Sequence, residues 1–463
     1  MGKHLLNDRG LALPVVVMVI AVITILGFTA VGVVQNQQRS TSRFADSQSA
    51  LGVAEAGIHQ YLWHLSENPK FYESDEYDDF ISRIHTFENG RYQLQVNREN
   101  GVVTIRSTGW LDRDSSNKRT VQVRVRQRQL TDYLFVTGGG KPDSNERDWW
   151  ISGDVVEGPL HTNGTLYISG KPEFKDVVTY SQKYKPHPNS DPVYVRGEPQ
   201  QVAPLALPTS SSSLSHLKDQ AQADDYYYQG RTCIRLDGSQ LLVRNQTGDI
   251  QARELPPNGV IYVGGTDPKD NKKSKWGLET GNVFVSGRLA GQLTIAAAGD
   301  IYITGKDPTN FDYKAAVDTG GIRYADEQGS DMLGLVAGNC VRILHYGWPG
   351  YDEKDKVNVA PEDITIQAVI LALNGWFEFE EWNKKPYEVR GTIHLTGSII
   401  QNSPGEVCKF SQGEGRLTGY AKHYEHDRRL YHCTPPYFSQ VAQAMSEGWE
   451  IVEWKEVVPA DSK

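Results

Sequence analysis

An uncharged apolar run near the N-terminus constrains this chain more than any other feature. Residues 11–34 read LALPVVVMVIAVITILGFTAVGVV and contain no charged side chain. As a helix with a rise of about 1.5 Å per residue, the run is roughly 36 Å long, whereas the hydrocarbon core of a bilayer is about 30 Å thick. A cleaved secretory signal has a shorter apolar region, of about 7–15 residues, that ends before a polar mature chain. The run therefore predicts a retained transmembrane helix.

The flanking residues indicate the orientation of this helix and its continuation. Lys3 and Arg9 precede the run, and positive charge favours the cytoplasmic side, so the bulk of the chain is expected outside. From Gln35 to Ser66, apolar residues recur at helical steps of three, four and seven, and Pro69 is the expected stop. The resulting stripe comprises Phe44, Leu51, Ala54, Ile58, Tyr61, Leu62 and Leu65. One helix is therefore predicted to run from the membrane (11–34) into the exterior (35–68).

Two segments of this helix resemble known bacterial proteins. The short basic leader (1–10) that ends in Arg9-Gly10 resembles the class III signal of type IV prepilins, and residues 47–65, SQSALGVAEAGIHQYLWHL, resemble the AEAG helix of PilX-type pilus assembly proteins. The resemblance implies that a prepilin peptidase cuts between Gly10 and Leu11 at the inner membrane. It also implies that the retained helix packs against other pilin-like subunits in the membrane or in a filament. The residues expected to make that contact are Val15, Phe44, Leu51, Ala54, Ile58, Leu62 and Leu65.

Two positions depart from the pattern of major pilins. The mature chain of a major pilin begins with phenylalanine and carries a glutamate at the fifth position, which pairs with a neighbour's new amino terminus. Here these positions hold Leu11 and Val15. The resemblance therefore implies a minor, tip-like or PilX-type component rather than the bulk subunit of the filament.

Residues 91–128 predict a small antiparallel sheet within a domain at 69–137. RYQLQV, VVTIRSTGW and KRTVQVRVRQ alternate apolar and polar residues, with turns at Asn100-Gly101 and between Asp112 and Asn117. Such a sheet is expected to cover the apolar stripe of the helix, as in pilins. The last strand carries Arg119, Arg124, Arg126 and Arg128. These arginines form either a solvated face, which is the preferred interpretation, or a contact with an anionic surface.

After a predicted hinge at 138–149, a five-residue phrase recurs in which a short strand ends at glycine. It occurs at Leu166–Gly170, Ile261–Gly265, Val283–Gly287, Ile301–Gly305 and Ile393–Gly397. Glycine adopts the positive φ of a tight corner, so the phrase predicts a strand followed by a turn. Further strands are expected at 292–298, 333–337 and 364–373. The pattern predicts an irregular parallel β-helix or solenoid over 150–435, and its variable period leaves a β-sandwich as the alternative.

The predicted fold class is thus a membrane-anchored α+β chain with a long helix, a small antiparallel sheet and a mostly β domain. An insertion is expected at about 184–230, with a helix starting near Leu214, and a tail is expected at 436–463. Phrases such as LAGQLTIAAAGDIYITG and RGTIHLTGSIIQ resemble the uncharacterised extracellular domain that often follows PilX-type helices.

The chemistry-bearing residues of the exterior support structural interpretations better than catalytic ones. Four aspartates near strand starts would suit a polysaccharide-cleaving β-helix, although Asp-Gly pairs are also ordinary turn residues. They are Asp154, Asp300, Asp331 and Asp363. A second group is close in sequence but fits no closed zinc pattern. It comprises His423, His426, His432 and Cys433. We therefore predict no catalytic residue, no metal and no cofactor.

The remaining features bear on disulfides and partners. The chain has four cysteines in a compartment where disulfides persist, and Cys408–Cys433 is the preferred pair because it would tie the last strand to the tail; free buried thiols are the alternative. A net charge of −9 gives no support for nucleic-acid binding. The predicted function is a non-enzymatic pilus component with the membrane, pilin-like subunits and prepilin peptidase as partners. The alternative is a tethered carbohydrate-binding or carbohydrate-cleaving solenoid or an adhesin, with tryptophans at 149–150 and 376–382 at its surface.

Overall fold

The computed structural model describes residues 12–68, 71–99, 102–139, 149–208, 210–266, 275–312, 314–347, 358–384, 388–411, 415–438 and 449–457. The chain forms two compact units: unit 1 is Met1–Arg128 with Glu447–Lys463, and unit 2 is Gln129–Ser446. A long N-terminal helix, a small antiparallel sheet and a large parallel sheet confirm the predicted fold class. The predicted stop at Pro69, the turn at Asn100-Gly101 and positions 140–148 of the predicted hinge lie outside the described residues.

Unit 1 is a long helix packed on a five-stranded antiparallel sheet. Helix α1 spans Ala12–Glu67, and a 3-10 turn, Phe71–Glu73, leads to the short helix α2, Tyr77–Ser82. The sheet order is β1-β2-β3-β4-β31. These strands are β1 (His85–Phe87), β2 (Gly90–Glu99), β3 (Val102–Leu111), β4 (Asp114–Gln127) and the last strand of the chain, β31 (Trp449–Val457). The three predicted strands are β2 to β4, and β4 begins within the segment that was expected to be a turn.

The C-terminal strand β31 replaces part of the predicted tail and explains the basic run of β4. It pairs antiparallel with β4, and its three glutamates lie beside the arginines of that strand. Glu450 is 2.8 Å from Arg126, and Glu456 forms an ion pair with Arg119. Arg119 and Arg126 therefore serve strand pairing, because acidic side chains of β31 neutralise them.

Charge reversal on β31 is expected to detach this strand. With Glu450, Glu453 and Glu456 all replaced by lysine, like charges face each other across paired strands, which destabilises the pairing. Hydrogen–deuterium exchange should show β31 losing protection while β2 and β3 keep theirs. The matched control replaces the same residues with glutamine, which removes the attraction without adding repulsion, and its loss should be smaller. Unchanged protection of β31 in the lysine variant would contradict this role.

Unit 2 is inserted into unit 1 between two paired strands. Gln127 at the end of β4 is the direct partner of Trp449 at the start of β31. All of unit 2 lies between these two positions in the chain. In the chain, unit 2 thus takes the place of the loop that would join β4 and β31 in a hairpin. The two compact units divide at Arg128, whereas the sequence predicted a boundary at residue 137.

Unit 2 is a solenoid of mostly parallel strands in three columns. Its strands are β5 (Phe135–Thr137), β6 (Trp149–Ile151), β7 (Val155–Glu157), β8 (Leu160–Thr162), β9 (Leu166–Ser169), β10 (Glu173–Phe174), β11 (Val178–Tyr180), β12 (Tyr184–Pro186), β13 (Val193–Tyr194), β14 (Gln200–Gln201), β15 (Tyr227–Gln229), β16 (Thr232–Gly238), β17 (Gln240–Asn245), β18 (Gln251–Glu254), β19 (Val260–Gly264), β20 (Val283–Leu289), β21 (Gln292–Ala297), β22 (Ile301–Ile303), β23 (Gly321–Tyr324), β24 (Met332–Ala337), β25 (Val341–Ile343), β26 (Ile364–Ala372), β27 (Phe377–Phe379), β28 (Val389–Gln401), β29 (Cys408–Ser411) and β30 (Gly415–His426). Helix α3, Ser210–Ala223, lies outside the columns.

Each column is a stack of strands paired side by side, and its inward-facing side chains line up in buried rows. Column A contains β15, β19, β21, β24, β26, β28, β5, β8, β11 and β14; column B contains β20, β23, β26, β28, β30, β7, β10 and β13. Column C contains β16, β20, β22, β25 and β27, and β6, β9 and β12 form a separate parallel sheet. One inward row of column B runs in register through Ile366, Leu395, Tyr424, Val156 and Phe174. These buried rows form the core of the unit.

Two of the predicted strand-ending glycines lie inside strands and let them turn a corner. Gly287 has a φ of +113°, and Gly397 sits so close to the carbonyl of Ala368 that a Cβ would be 1.9 Å from its oxygen. Before Gly287, β20 pairs with β22, and from Gly287 onward it pairs with β23. The glycine phrases therefore mark corners between columns, but the strand continues past some of them.

The columns consist of two arms that meet at a seam. The N-terminal arm (β5 to β14) starts in the middle of the stack and grows towards one end, whereas the C-terminal arm starts with β15 at the other end. The last rungs of the C-terminal arm return to the middle, where β28 pairs with β5 and β30 pairs with β7. The predicted insertion is shorter than expected, because β12, β13 and β14 belong to the stack and only 202–226 leaves it.

Asparagine amides bind the segment that leaves the stack between β14 and β15, and they hold it along column A. Asn163 donates to the carbonyl of Leu205 at 2.6 Å, and Asn402 donates to that of Pro208 at 3.0 Å. Further along, Asn258 donates to Gln220 in α3 at 2.8 Å. Leu217 and Ala221 of α3 complete a second apolar cluster on the outer side of column A. The segment can therefore cross from one arm to the far end of the other without exposing that side.

A buried ion pair lies at the seam, in an inward row whose two preceding strands place isoleucine there. Ile364, Ile393 and Lys422 are in register, and Asp154 precedes the strand that pairs with β30. The Lys422 Nζ is 3.6 Å from Asp154 Oδ2 and donates to the Trp149 carbonyl at 2.6 Å. Burial raises the pKa of the Asp154 carboxyl, and Lys422 opposes that rise. A charged pair thus joins the two arms where they dock.

The predicted Cys408–Cys433 disulfide is not formed, and both residues are present as thiols. Cys408 lies opposite Gly419 near the start of β30, whereas Cys433 follows the end of that strand at His426. At about 3.3 Å per residue, Gly419 and His426 are roughly 23 Å apart along the strand. Bridged cysteines need Cα atoms within about 7 Å, so the strand itself holds the two thiols apart.

A buried histidine in unit 2 is expected to make this unit sensitive to acid. His345 is 5 % exposed and stacks on Tyr346, with ring centroids 3.8 Å apart. Burial lowers its pKa to about 4 and the charge of Arg390 acts in the same direction, whereas the charges of Glu380, Glu388 and Glu381 oppose that effect.

Since the folded state binds a proton at His345 less readily than the unfolded state, stability is complete above the unfolded pKa of about 6.5 and falls as the pH drops towards 4. The loss is at most about 3 kcal/mol. Urea titrations from pH 7 to 4 should show a smaller loss for His345→Phe. An identical pH dependence in both proteins would contradict the assignment.

Candidate functional site

The first part of α1 is apolar, and its described large apolar side chains are exposed. Leu13 is 75 % exposed, Val15 57 % and Phe28 76 %. Among the described residues, one helix is long and apolar enough to cross a membrane, and its most apolar window has a mean hydropathy of 2.7 with none of that window buried. An apolar surface of this size marks a membrane or protein interface. Val15 lies on this surface, whereas the predicted processing residues Arg9, Gly10 and Leu11 lie outside the described residues.

The hydroxyl groups in this part of α1 are satisfied within the helix. Thr24 donates to the carbonyl of Ile20 at 2.7 Å, and Thr29 donates to that of Leu26 at 2.9 Å. A hydroxyl without a partner is costly in hydrocarbon, so these internal bonds suit a lipid environment.

The second part of α1 is covered by the sheet of unit 1. Of the predicted filament-packing residues, Ala54, Ile58 and Leu65 are fully buried in the core that α1 shares with β2 to β4. Leu51 and Leu62 are half-buried and pack against the same core. These five side chains therefore support the fold of unit 1 itself. Two members of the predicted set remain exposed: Val15, and Phe44 at 68 %.

Small residues in the AEAG segment bring the helix unusually close to the sheet. A Cβ on Gly109 of β3 would lie 2.4 Å from the backbone nitrogen of Ala54 and 2.6 Å from the carbonyl oxygen of Ala50. One helical turn later, a Cβ on Gly57 would lie 2.3 Å from Ser107 Oγ. The motif that carries the resemblance thus has a physical role, because it lets α1 dock on β3 without intervening side chains.

An exposed aromatic surface at the outer end of α1 was missed by the sequence analysis. Trp63 is 57 % exposed, one position away from the buried stripe. Trp454 of β31 is 39 % exposed and lies against His59, with ring centroids 5.5 Å apart. Trp63 could have been found as the tryptophan on the polar side of the helix, but the position of Trp454 depends on the unforeseen pairing of β31.

The four candidate aspartates of unit 2 each accept a hydrogen bond from a backbone N–H, and among these four bonds only that of Asp154 is local in sequence. Asp154 accepts the backbone N–H of Ile151 at 2.9 Å, and Asp331 accepts that of Gly291 at 2.7 Å. The other two behave similarly: Asp300 accepts the N–H of Cys340 at 3.0 Å, and Asp363 accepts the N–H of Thr392 at 2.7 Å. Asp154 fits the turn-forming interpretation, whereas Asp300, Asp331 and Asp363 bind backbone of other rungs.

The histidine group that is close in sequence is spread over different partners. His426 shares a hydrogen bond of 2.8 Å with the Thr131 carbonyl, and His423 lies 3.0 Å from Glu157 Oε1. His432 follows a 3-10 turn, Arg428–Tyr431, and Cys433 donates to the Arg429 carbonyl. Within the ranges described above, no three histidine, cysteine or acidic side chains already converge as metal ligands do.

The tryptophans considered for a ligand surface are mostly inside. Trp150 is 1 % exposed and packs among core aromatics, with Phe135 and Phe174 as neighbours. Trp149, Trp376 and Trp382 are half-buried. Their positions give less support to a ligand-binding surface than to a role in the core of unit 2 and at its rim.

Comparisons with known proteins give limited information. Residues 91–182 match a family described as Domain of unknown function (DUF4900), and the match runs from β2 in unit 1 to β11 in unit 2. No curated protein matches. The competence-associated pilin ComZ from Thermus thermophilus is similar at 12 % identity over 89 % of this chain and 98 % of that chain, with a TM-score of 0.32. That score is too low to show a shared fold, so the functional argument rests on unit 1 alone.

Proposed function

We propose that this protein is a non-enzymatic, minor pilin-like component of PilX type in a type IV pilus-like or related secretion filament. The observation that carries the proposal is the division of α1 into two parts within one continuous helix. Its first part is bare and apolar, and its second part is locked onto an antiparallel sheet by the AEAG segment. A helix built in this way can stand in the membrane and later exchange lipid for neighbouring helices.

In this proposal the exposed apolar part of α1 anchors the chain in the bacterial inner membrane, and the sheet of unit 1 and all of unit 2 lie outside. A prepilin peptidase removes residues 1–10 and leaves Leu11 as the new amino terminus. Val15 offers no carboxylate to a neighbour's amino terminus, which favours a component present in few copies. The insertion of unit 2 at a hairpin position lets a large domain be displayed without interrupting the helix or the sheet that covers it.

Site-specific photo-crosslinking tests the contact with other subunits. A photoreactive residue at Phe44, which is exposed, should give adducts with other pilin-like proteins in cells that assemble filaments. The same residue at Ile58, which is fully buried, is the matched control and should give none. Absence of adducts with pilin-like proteins at Phe44 would sink the proposal and favour a simple tethered domain.

A further inference from the structure

Strand register at the seam brings together two histidines and two glutamates that are far apart in sequence. His394 of β28 is the direct partner of His423 of β30, and Glu425 of β30 is the direct partner of Glu157 of β7. Residues two apart in a strand point to the same face, so all four side chains share the outer face of column B. In the sequence, His423 is close to His426, His432 and Cys433. In the folded sheet its neighbours are instead His394, Glu425 and Glu157.

This part of column B has an excess of negative charge. The backbones of Glu425 and Glu157 are about 4.8 Å apart, which is the usual spacing of neighbouring strands. Like charges directly opposite each other destabilise a sheet. Glu173 of β10 adds a third carboxylate near the same lysine, Lys175. Lys175 is hydrogen-bonded to Glu157 at 2.7 Å. Arg428 and Arg429 line the same cleft as Glu157 and Glu425, but so do Glu327 and Asp427. Acidic side chains therefore still outnumber basic ones, and a further cation would relieve the remaining repulsion.

The imidazoles indicate which kind of cation would fit. The rings of His394 and His423 have centroids 5.6 Å apart, and His423 Nε2 is already 3.0 Å from Glu157 Oε1. Zinc and neighbouring transition metals bind imidazole nitrogen together with carboxylate oxygen, whereas calcium and magnesium prefer all-oxygen sites. The donor set is therefore that of a transition metal.

We propose that His394, His423, Glu157 and Glu425 bind a divalent transition-metal ion, with Zn²⁺ as the representative, across the seam of unit 2. The four side chains do not converge as they stand. Binding requires Glu157 to leave Lys175 and the exposed His394 and Glu425 to rotate towards His423. Two ligands come from β30, one from β28 and one from β7, so the ion joins the C-terminal arm to the N-terminal arm. Binding to the folded state alone then stabilises the seam. The proposal is independent of the pilus assignment.

The test uses the full-length chain in detergent after treatment with a chelator. Calorimetric titration with Zn²⁺ should show one bound equivalent, and the same titration with Ca²⁺ should show none. The double variant His394→Asn/His423→Asn should lose that equivalent, whereas His432→Asn, which removes an exposed imidazole elsewhere, should keep it.

Hydrogen–deuterium exchange provides a second measurement, because a folding defect in the double variant would already lower protection without metal. Zn²⁺ should increase the protection of β7 and β30 in the unaltered chain and in His432→Asn, but leave the double variant unchanged. Absence of Zn²⁺ binding to the unaltered chain, binding that survives in the double variant, or equal binding of Ca²⁺ would overturn the proposal.

Discussion

Replacement of Lys422 with methionine is expected to destabilise unit 2 by about 3–5 kcal/mol, the usual cost of leaving a buried charge without its partner. Asp154 is 1 % exposed, so it loses its counter-charge in a place that water does not reach. The Trp149 carbonyl also loses a donor at 2.6 Å. The defect should be greatest at the seam, where hydrogen–deuterium exchange of β7 and β30 measures it.

Lys171→Met is the matched control for this prediction. The Lys171 side chain is 69 % exposed and forms its ion pair with Asp191, which is 74 % exposed. Exposed pairs contribute little to stability, so exchange at the seam should remain as in the unaltered chain. Similar exchange in both lysine variants would show that the buried pair does not hold the arms together.

Replacement of Gly109 with alanine is expected to destabilise unit 1 by about 3 kcal/mol or more, at the upper end for an overpacked site. The new Cβ would meet backbone atoms of Ala50 and Ala54 at 2.6 Å or less, and backbone cannot rotate away as a side chain can. The helix must therefore move off β3. Thermal unfolding of the full-length chain in detergent, together with exchange protection of β3, measures the effect.

Two glycines in α1 serve as controls with opposite expected signs. Gly52→Ala adds a Cβ that meets nothing within 4 Å, so helix propensity should raise stability by up to about 1 kcal/mol. Gly57→Ala adds the same atom against Ser107 and Tyr92 and should lower stability, although less than Gly109→Ala because side chains can yield. Equal effects at Gly52 and Gly57 would contradict the close docking of the AEAG segment.

The features that could be predicted from sequence are those set by neighbours along the chain. The helical period of α1 and the alternation in β2 to β4 need no distant contact, and neither do the glycine corners of the solenoid. Strand β31 differs, because its partner Arg126 lies 324 positions from Glu450. Opposite charges in β4 and β31 were a usable sign of that pairing.

The order of the rungs could not be predicted, because the strands at the seam are not consecutive in the chain. Phe135 pairs with Ile399, and Val155 pairs with His423. Local patterns specify that a strand forms, whereas tertiary packing selects its neighbour. The same limit explains the wrong cysteine pair and the separation of the histidines. The burial of Lys422 could have been predicted locally, because strand alternation places it on the same inward face as Tyr420 and Tyr424.

Mass spectrometry of the mature N-terminus, in cells with and without prepilin peptidase, tests the central claim most directly. The account predicts a chain that starts at Leu11 when the peptidase is present and at Met1 when it is absent. An intact Met1 in both strains would contradict processing in the pilin pathway. A start beyond Val34 would show that the apolar half of α1 is discarded, and the anchor proposed here would not exist.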